Sequence, residues 1–117
     1  METIRNFDSP LNVAAIRGSL VLSRDRMSTL LHVSPKSVQR WEREKRRPSN
    51  ADILLRLARL KEIVNLGSRV YTPEGLNAFL STPLPVFGGR TAFDLIRMGE
   101  YEPVLAALAA DYEGSGF

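Results

Sequence analysis

"LSRDRMSTLLHVSPKSVQRWEREKRRPS", residues 22–49, carries two helix starts and one tight turn, and its reading decides the fold. Ser23 is an N-cap for a helix over Arg24–Leu31, in which Met27, Leu30 and Leu31 face inward. His32-Val33 makes the turn. Ser34 followed by Pro35 is a second start, because proline is pre-set for the first helical position and lacks only an N–H that no helix bond needs there. The second helix runs to about Arg43 or Glu44, with Val38 and Trp41 three apart on its inner side. Two capped helices joined by three residues and packed through Met27, Leu31, Val33, Val38 and Trp41 make a helix-turn-helix.

Helical punctuation continues in both directions. Upstream, Asn12–Leu22 places Val13, Ile16, Leu20 and Val21 at helical spacing, with Arg17 among them. Downstream, Pro48 ends a basic loop and Ser49 or Asn50 caps a longer helix, Ala51–Leu66. Its stripe of Ile53, Leu54, Leu57, Leu60, Ile63 and Val64 faces a core, and Gly67 is placed to end it as a left-handed cap. Thr72-Pro73 opens a short helix with Leu76, Phe79 and Leu80 on one side. Pro83 and Pro85 bracket an extended link. Gly88-Gly89 then permits a sharp turn into Thr91, which caps a helix that Gly99 stops. Pro103 stands near the start of the last helix, which turns Val104, Leu105 and Leu108 inward, and Gly114–Phe117 is expected to be a flexible tail. With no convincing strand and no internal repeat, the fold expected is all-α. It divides into an N-terminal arm (1–10), a helix-turn-helix unit (11–67) and a C-terminal module with its tail (68–117).

The composition sets the class. An apolar fraction of 44% over 117 residues suits one modest core. No apolar run approaches the roughly 18–20 residues that cross a bilayer, and no charged start plus apolar block suggests a signal peptide. There is no cysteine, so disulfides and thiolate metal sites are excluded, which fits a reducing bacterial cytoplasm. Charge is uneven. Residues 1–50 hold ten Lys/Arg against five Asp/Glu, whereas residues 51–117 hold six against eight, which suggests two partners of different character.

Basic residues concentrate where a helix-turn-helix meets DNA. The face of its second helix opposite the core carries Lys36, Ser37, Gln39, Arg40 and Arg43. Lys and Arg donate to guanine O6/N7, and Gln pairs with adenine, so this face is suited to base edges. Arg43, Lys45, Arg46 and Arg47 follow as phosphate contacts, which position without specifying. Catalytic chemistry finds no foothold. The only histidine, His32, lies in the turn, and no Ser, Thr or carboxylate has a base at recognisable spacing. Gly88-Gly89-Arg90-Thr91 lacks the Gly-Lys-Ser/Thr spacing of a phosphate loop, and no metal-ligand cluster is visible. Neither enzyme activity nor a cofactor is expected.

The stretch Leu22-Ser23-Arg24, Met27, Leu30-Leu31, Val33-Ser34, Val38, Arg40-Trp41-Glu42 and Arg47-Pro48-Ser49 resembles the Xre (Cro/repressor-like) helix-turn-helix family. The resemblance implies that Arg24 touches phosphate, that Lys36, Ser37 and Arg40 face base edges, and that Trp41 is core. The sequence departs from the family pattern at Ser28, His32 and Glu44, the last placing an anion beside the phosphate-facing cluster. Residues 74–112 resemble the toxin-binding domain of Xre/MbcA/ParS-type antitoxins. The likeness is carried by Ala78–Pro83, Phe87-Gly88-Gly89-Arg90-Thr91-Ala92-Phe93-Asp94-Leu95-Ile96, Gly99-Glu100 and Val104–Leu108. Phe93, Leu95, Ile96, Val104 and Leu108 are core candidates. Arg90, Arg97, Glu100, Tyr101, Glu102, Asp111, Tyr112 and Phe117 are the candidates for partner contact.

The resemblance implies a type II antitoxin that covers the NAD pocket of a RES-domain toxin and binds operator DNA as a homodimer or larger toxin–antitoxin complex. The alternative is a stand-alone helix-turn-helix regulator whose C-terminal helices serve dimerisation.

Overall fold

Seven α-helices follow one another through the computed structural model, which describes residues 11–115: α1 (Val13–Leu20), α2 (Arg24–Leu31), α3 (Pro35–Glu44), α4 (Ala51–Gly67), α5 (Pro73–Ser81), α6 (Ala92–Arg97) and α7 (Tyr101–Ser115). A 3-10 turn, Pro85–Phe87, stands between α5 and α6, and no strand occurs among the described residues. The all-α expectation holds. The N-terminal arm and the end of the expected tail, Gly116 and Phe117, lie outside the described residues.

The helix starts sit where short polar side chains put them. Asn12, Ser23, Ser34, Asn50, Thr72 and Thr91 each accept a hydrogen bond from a backbone N–H of the first turn that follows. Such caps satisfy donors that a helix leaves orphaned, at about 1 kcal/mol each. The first three helices end alike: the chain turns left-handed at Val21 (φ 53°), His32 (φ 60°) and Lys45 (φ 56°). The next residue's N–H reaches back to a carbonyl five residues earlier: Leu22 to Arg17, Val33 to Ser28, Arg46 to Trp41. None of the three is glycine.

Three local expectations change. Gly67 is not a left-handed cap. It is the last, buried residue of α4, and the cap that follows, Ser68, is right-handed (φ −69°). A β-carbon on Gly67 would stand 2.6 Å from Leu76 Cδ1, so the glycine serves a close approach of α5 to α4. The link after Pro83 is not wholly extended, because Pro85, needing no N–H at a first helical position, opens the 3-10 turn that seats Phe87 in the core. Gly114 and Ser115 form the last residues of α7.

One hydrophobic core runs from Val13 to Leu108. α4 is its spine: Leu57, Leu60, Ile63 and Val64 are buried along one side. α1 and α2 pack on α4 from the N-terminal half, and α7 packs along it from the C-terminal half. α5 rests on α1 and α6 rests on α2. Polar contacts join the same elements. Asn77 Nδ2 donates to the carbonyls of Leu20 (2.9 Å) and Val21 (3.1 Å). The Arg26 guanidinium lies 3.9 Å from the centre of the Phe93 ring. His32 Nε2 sits 2.8 Å from the Arg97 carbonyl oxygen.

Candidate functional site

The first candidate surface is built on α3. Ser34 caps it, Pro35 opens it, and Val38 and Trp41 anchor its inner side. Lys36, Gln39 and Arg43 are exposed on the other side, while Ser37 and Arg40 are half-buried. Ser37 is drawn into the cap, its hydroxyl 3.2 Å from that of Ser34. Arg40 lies over the Trp41 ring at 5.9 Å. The solvent-facing candidates on the helix are therefore Lys36 and Gln39, with Arg43 one turn further on.

Behind this face Glu42 gathers two cations. Its carboxylate is 7% exposed and accepts from Arg17 Nε (2.6 Å) and Nη2 (3.0 Å) and from Arg24 Nε (2.9 Å). Burial pushes the Glu42 carboxyl up, but the hydrogen bonds from Arg17 and Arg24, with their charges, outweigh it and hold the group below the ordinary carboxylate value. Arg24 is thus tethered through Nε with its side chain half-exposed (49%). The family resemblance did not assign Glu42 this role. Its partners stand 25 and 18 residues earlier in the chain, so no local sequence signal marked it.

Glu44 organises the basic run. It pairs with Arg46 at 2.8 Å and with Arg43 at 3.7 Å. Lys45 supplies the left-handed cap of α3, and Arg47 is exposed beside the buried Pro48. Two of the four cations of this run, Arg43 and Arg46, are therefore partly neutralised within the chain.

The second group of candidates splits between the two ends of α7. At its start, Arg90 and Glu100 approach to 3.8 Å, Arg97 pairs with Asp94 at 3.6 Å, and the Tyr101 hydroxyl accepts from Arg56 Nη1 at 3.3 Å. Glu102 is exposed beside them. At its far end, Asp111 accepts from the Tyr71 hydroxyl at 2.7 Å, and the Arg69 guanidinium stands 5.8 Å from the Tyr112 ring centre. The bond to Asp111, reinforced by burial and by the aspartate's charge, pushes the Tyr71 phenol up to about 12. Phe117 lies outside the described residues.

Apolar side chains that periodicity left unassigned also reach the surface: Leu55 (58% exposed) on α4, Val86 (71%) on the 3-10 turn and Met98 (45%) after α6. Leu55 borders a groove with His32, Asp52, Arg56 and Tyr101. A second groove runs between α4 and α7, lined by Arg59, Glu62, Leu66, Arg69, Leu105 and Ala109. Among the described residues, no group of three or more His, Cys, Asp or Glu gathers to hold a metal ion, and no helix is long and apolar enough to cross a membrane.

No family model matches the chain. It is 29% identical over 89 residues to the probable mycobacterial cidal antitoxin of Mycobacterium tuberculosis, an alignment covering 76% of this chain and 75% of that protein. Its fold matches a chain of the crystal structure of the M. tuberculosis MbcT–MbcA toxin–antitoxin complex with a TM-score of 0.77 and 26% identity. That match covers 95% of this chain and 97% of the other. Both findings bear out the resemblance to MbcA-type antitoxins.

Proposed function

We propose that this chain is the antitoxin of a type II toxin–antitoxin pair, that its toxin is a RES-domain protein that consumes NAD, and that it binds operator DNA to regulate its own operon. The antitoxin reading is carried by the likeness, along nearly the whole chain, to a chain of a toxin–antitoxin complex. Support for a RES-type toxin is the segment Phe87-Gly88-Gly89-Arg90-Thr91 with Gly99-Glu100, through which residues 74–112 resemble this family's toxin-binding domain. On this reading the chain acts by occupying a site rather than by catalysis. Arg90, Arg97, Glu100 and Tyr101 meet the toxin at the α6–α7 corner.

The DNA reading rests on the exposed Lys36 and Gln39 of α3 and on the cations from Arg43 to Arg47, with Arg24 held beside them by Glu42. Ser37 and Arg40 reach base edges on this reading by leaving the cap and the Trp41 ring. A homodimer, or a larger toxin–antitoxin complex, would bring two such helices to half-sites about one helical turn apart.

Whether the adjacent reading frame encodes a RES-domain protein, and co-expression with that product, test the function. The expected result is restored growth, a recovered NAD level and co-purification of the two chains. A cell that still loses NAD, with no complex recovered, removes the antitoxin reading.

A further inference from the structure

The outer flank of α4 carries a pattern with the same spacing in both chain directions and opposite charges at the positions that reversal brings together. Asp52, Leu55, Arg59, Glu62, Leu66 and Arg69 follow one another at intervals of three, four, three, four and three residues. These intervals keep them along one side of a helix, away from the buried Leu57, Leu60, Ile63 and Val64. Arg69 stands just past the helix end, on the turn in which its N–H bonds the Leu66 carbonyl. In order, the residue types are acid, leucine, base, acid, leucine, base. Reversing one copy against another sets Asp52 opposite Arg69, Leu55 opposite Leu66 and Arg59 opposite Glu62, with every pairing repeated by symmetry.

From this we infer that the flank is the contact between two copies of the chain, packed antiparallel about a two-fold axis between Arg59 and Glu62. A single antiparallel register satisfies all six positions, as an isologous interface requires. The surface is open: Asp52, Glu62 and Arg69 are exposed, Leu55 is 58% exposed, and Arg59 and Leu66 are half-buried. Among the described residues neither Asp52 nor Arg69 forms an ion pair, although Arg69 stands by the Tyr112 ring, and Arg59 pairs with Glu62 of its own copy at 2.9 Å with the charge of Glu102 nearby. Beside the flank, α7 offers Ala106 and Ala109 in the groove that Leu66 and Arg69 line, small side chains that let a second helix approach. Self-association through this flank is independent of the antitoxin reading, because it needs no toxin.

Sedimentation equilibrium on the full chain, without toxin or DNA, tests it. The wild type is expected to be a dimer. Leu55→Glu, which faces a carboxylate against Leu66 of the second copy, is expected to raise the dissociation constant by about tenfold or more. Asp52→Arg and Arg69→Asp each place like charges together and are expected to weaken the dimer, and the double variant is expected to restore it. The two residues stand about 25 Å apart along one chain at the rise of a helix, so restoration can arise only between copies. Circular dichroism of each variant checks that the helices are retained. A monomeric wild type, a Leu55→Glu variant that dimerises unchanged, or a double variant no tighter than its parents overturns the inference. So does a Leu55→Glu chain that stays dimeric but loses its toxin, which would assign the flank to the toxin instead.

Discussion

Val21 is a β-branched residue in the left-handed region, where side chains other than glycine and asparagine are strained by about 1–2 kcal/mol. It is 47% exposed, so little packing offsets that strain. Val21→Gly is therefore expected to stabilise the chain by about 0.5–1 kcal/mol after the added freedom of the unfolded glycine is subtracted, read as a rise in the urea midpoint at constant slope. His32→Gly is the contrast. It relieves the same backbone strain but loses the contact with the Arg97 carbonyl, and is expected to gain less. Glu42 gives a pH signature. Its folded carboxyl is held below the unfolded value of about 4.3, so its contribution is present above that pH and is lost as pH falls through the lower folded value. Glu42→Gln is expected to flatten the pH dependence of stability below about pH 4.3 and to lower stability at pH 7 by about 1–3 kcal/mol. Acid titrations followed by circular dichroism, run on both proteins, check the pair.

Among the elements, α3 and the run after it hold the proposed DNA contacts, and Glu44 sets how strongly they act. Its pairs with Arg43 and Arg46 compete with phosphate. Glu44→Gln is expected to tighten binding to all sequences alike and to steepen its salt dependence, since more cations then release counterions. Lys36→Ala is expected instead to cost about 1–3 kcal/mol on the operator alone. Operator and scrambled duplexes titrated at two salt concentrations separate the outcomes, and equal losses on both duplexes for Lys36→Ala would remove it from base reading. The elements themselves were largely legible in the sequence, because their signals are local. A cap such as Ser34 with Pro35, or the stripe Leu57–Leu60–Val64, acts within one or two turns. Gly67 was misread because a left-handed cap and a close helix contact both require an absent β-carbon, and only the position of Leu76 distinguishes them. The pairing of Glu42 with Arg17 and Arg24 spans 25 and 18 residues, beyond any local pattern.

At the scale of the whole molecule, α4 decides how the two proposed activities depend on each other. The core it anchors is completed by residues from beyond Gly67: Leu76 and Leu80 on α5, Leu95 and Ile96 on α6, Val104 and Leu108 on α7, all at most 1% exposed. A chain cut after Gly67 keeps every candidate DNA contact but leaves Leu57, Leu60, Ile63 and Val64 covered only by α1 and α2, and full burial is worth about 1.5–3 kcal/mol for each side chain of this size. Even a partial loss over the four is comparable with the whole margin of about 5–15 kcal/mol by which small domains are stable. The fragment also loses Asn77 on the Leu20 and Val21 carbonyls and the contact of Phe93 with Arg26. Residues 1–67 alone are therefore expected to lack a cooperative thermal transition and to bind operator only weakly, whereas the full chain should melt in one two-state step. Calorimetry of both chains decides it. A fragment that melts cooperatively near the full chain's midpoint would mean that the N-terminal half closes its own core, and that α5–α7 rest on it without holding it up.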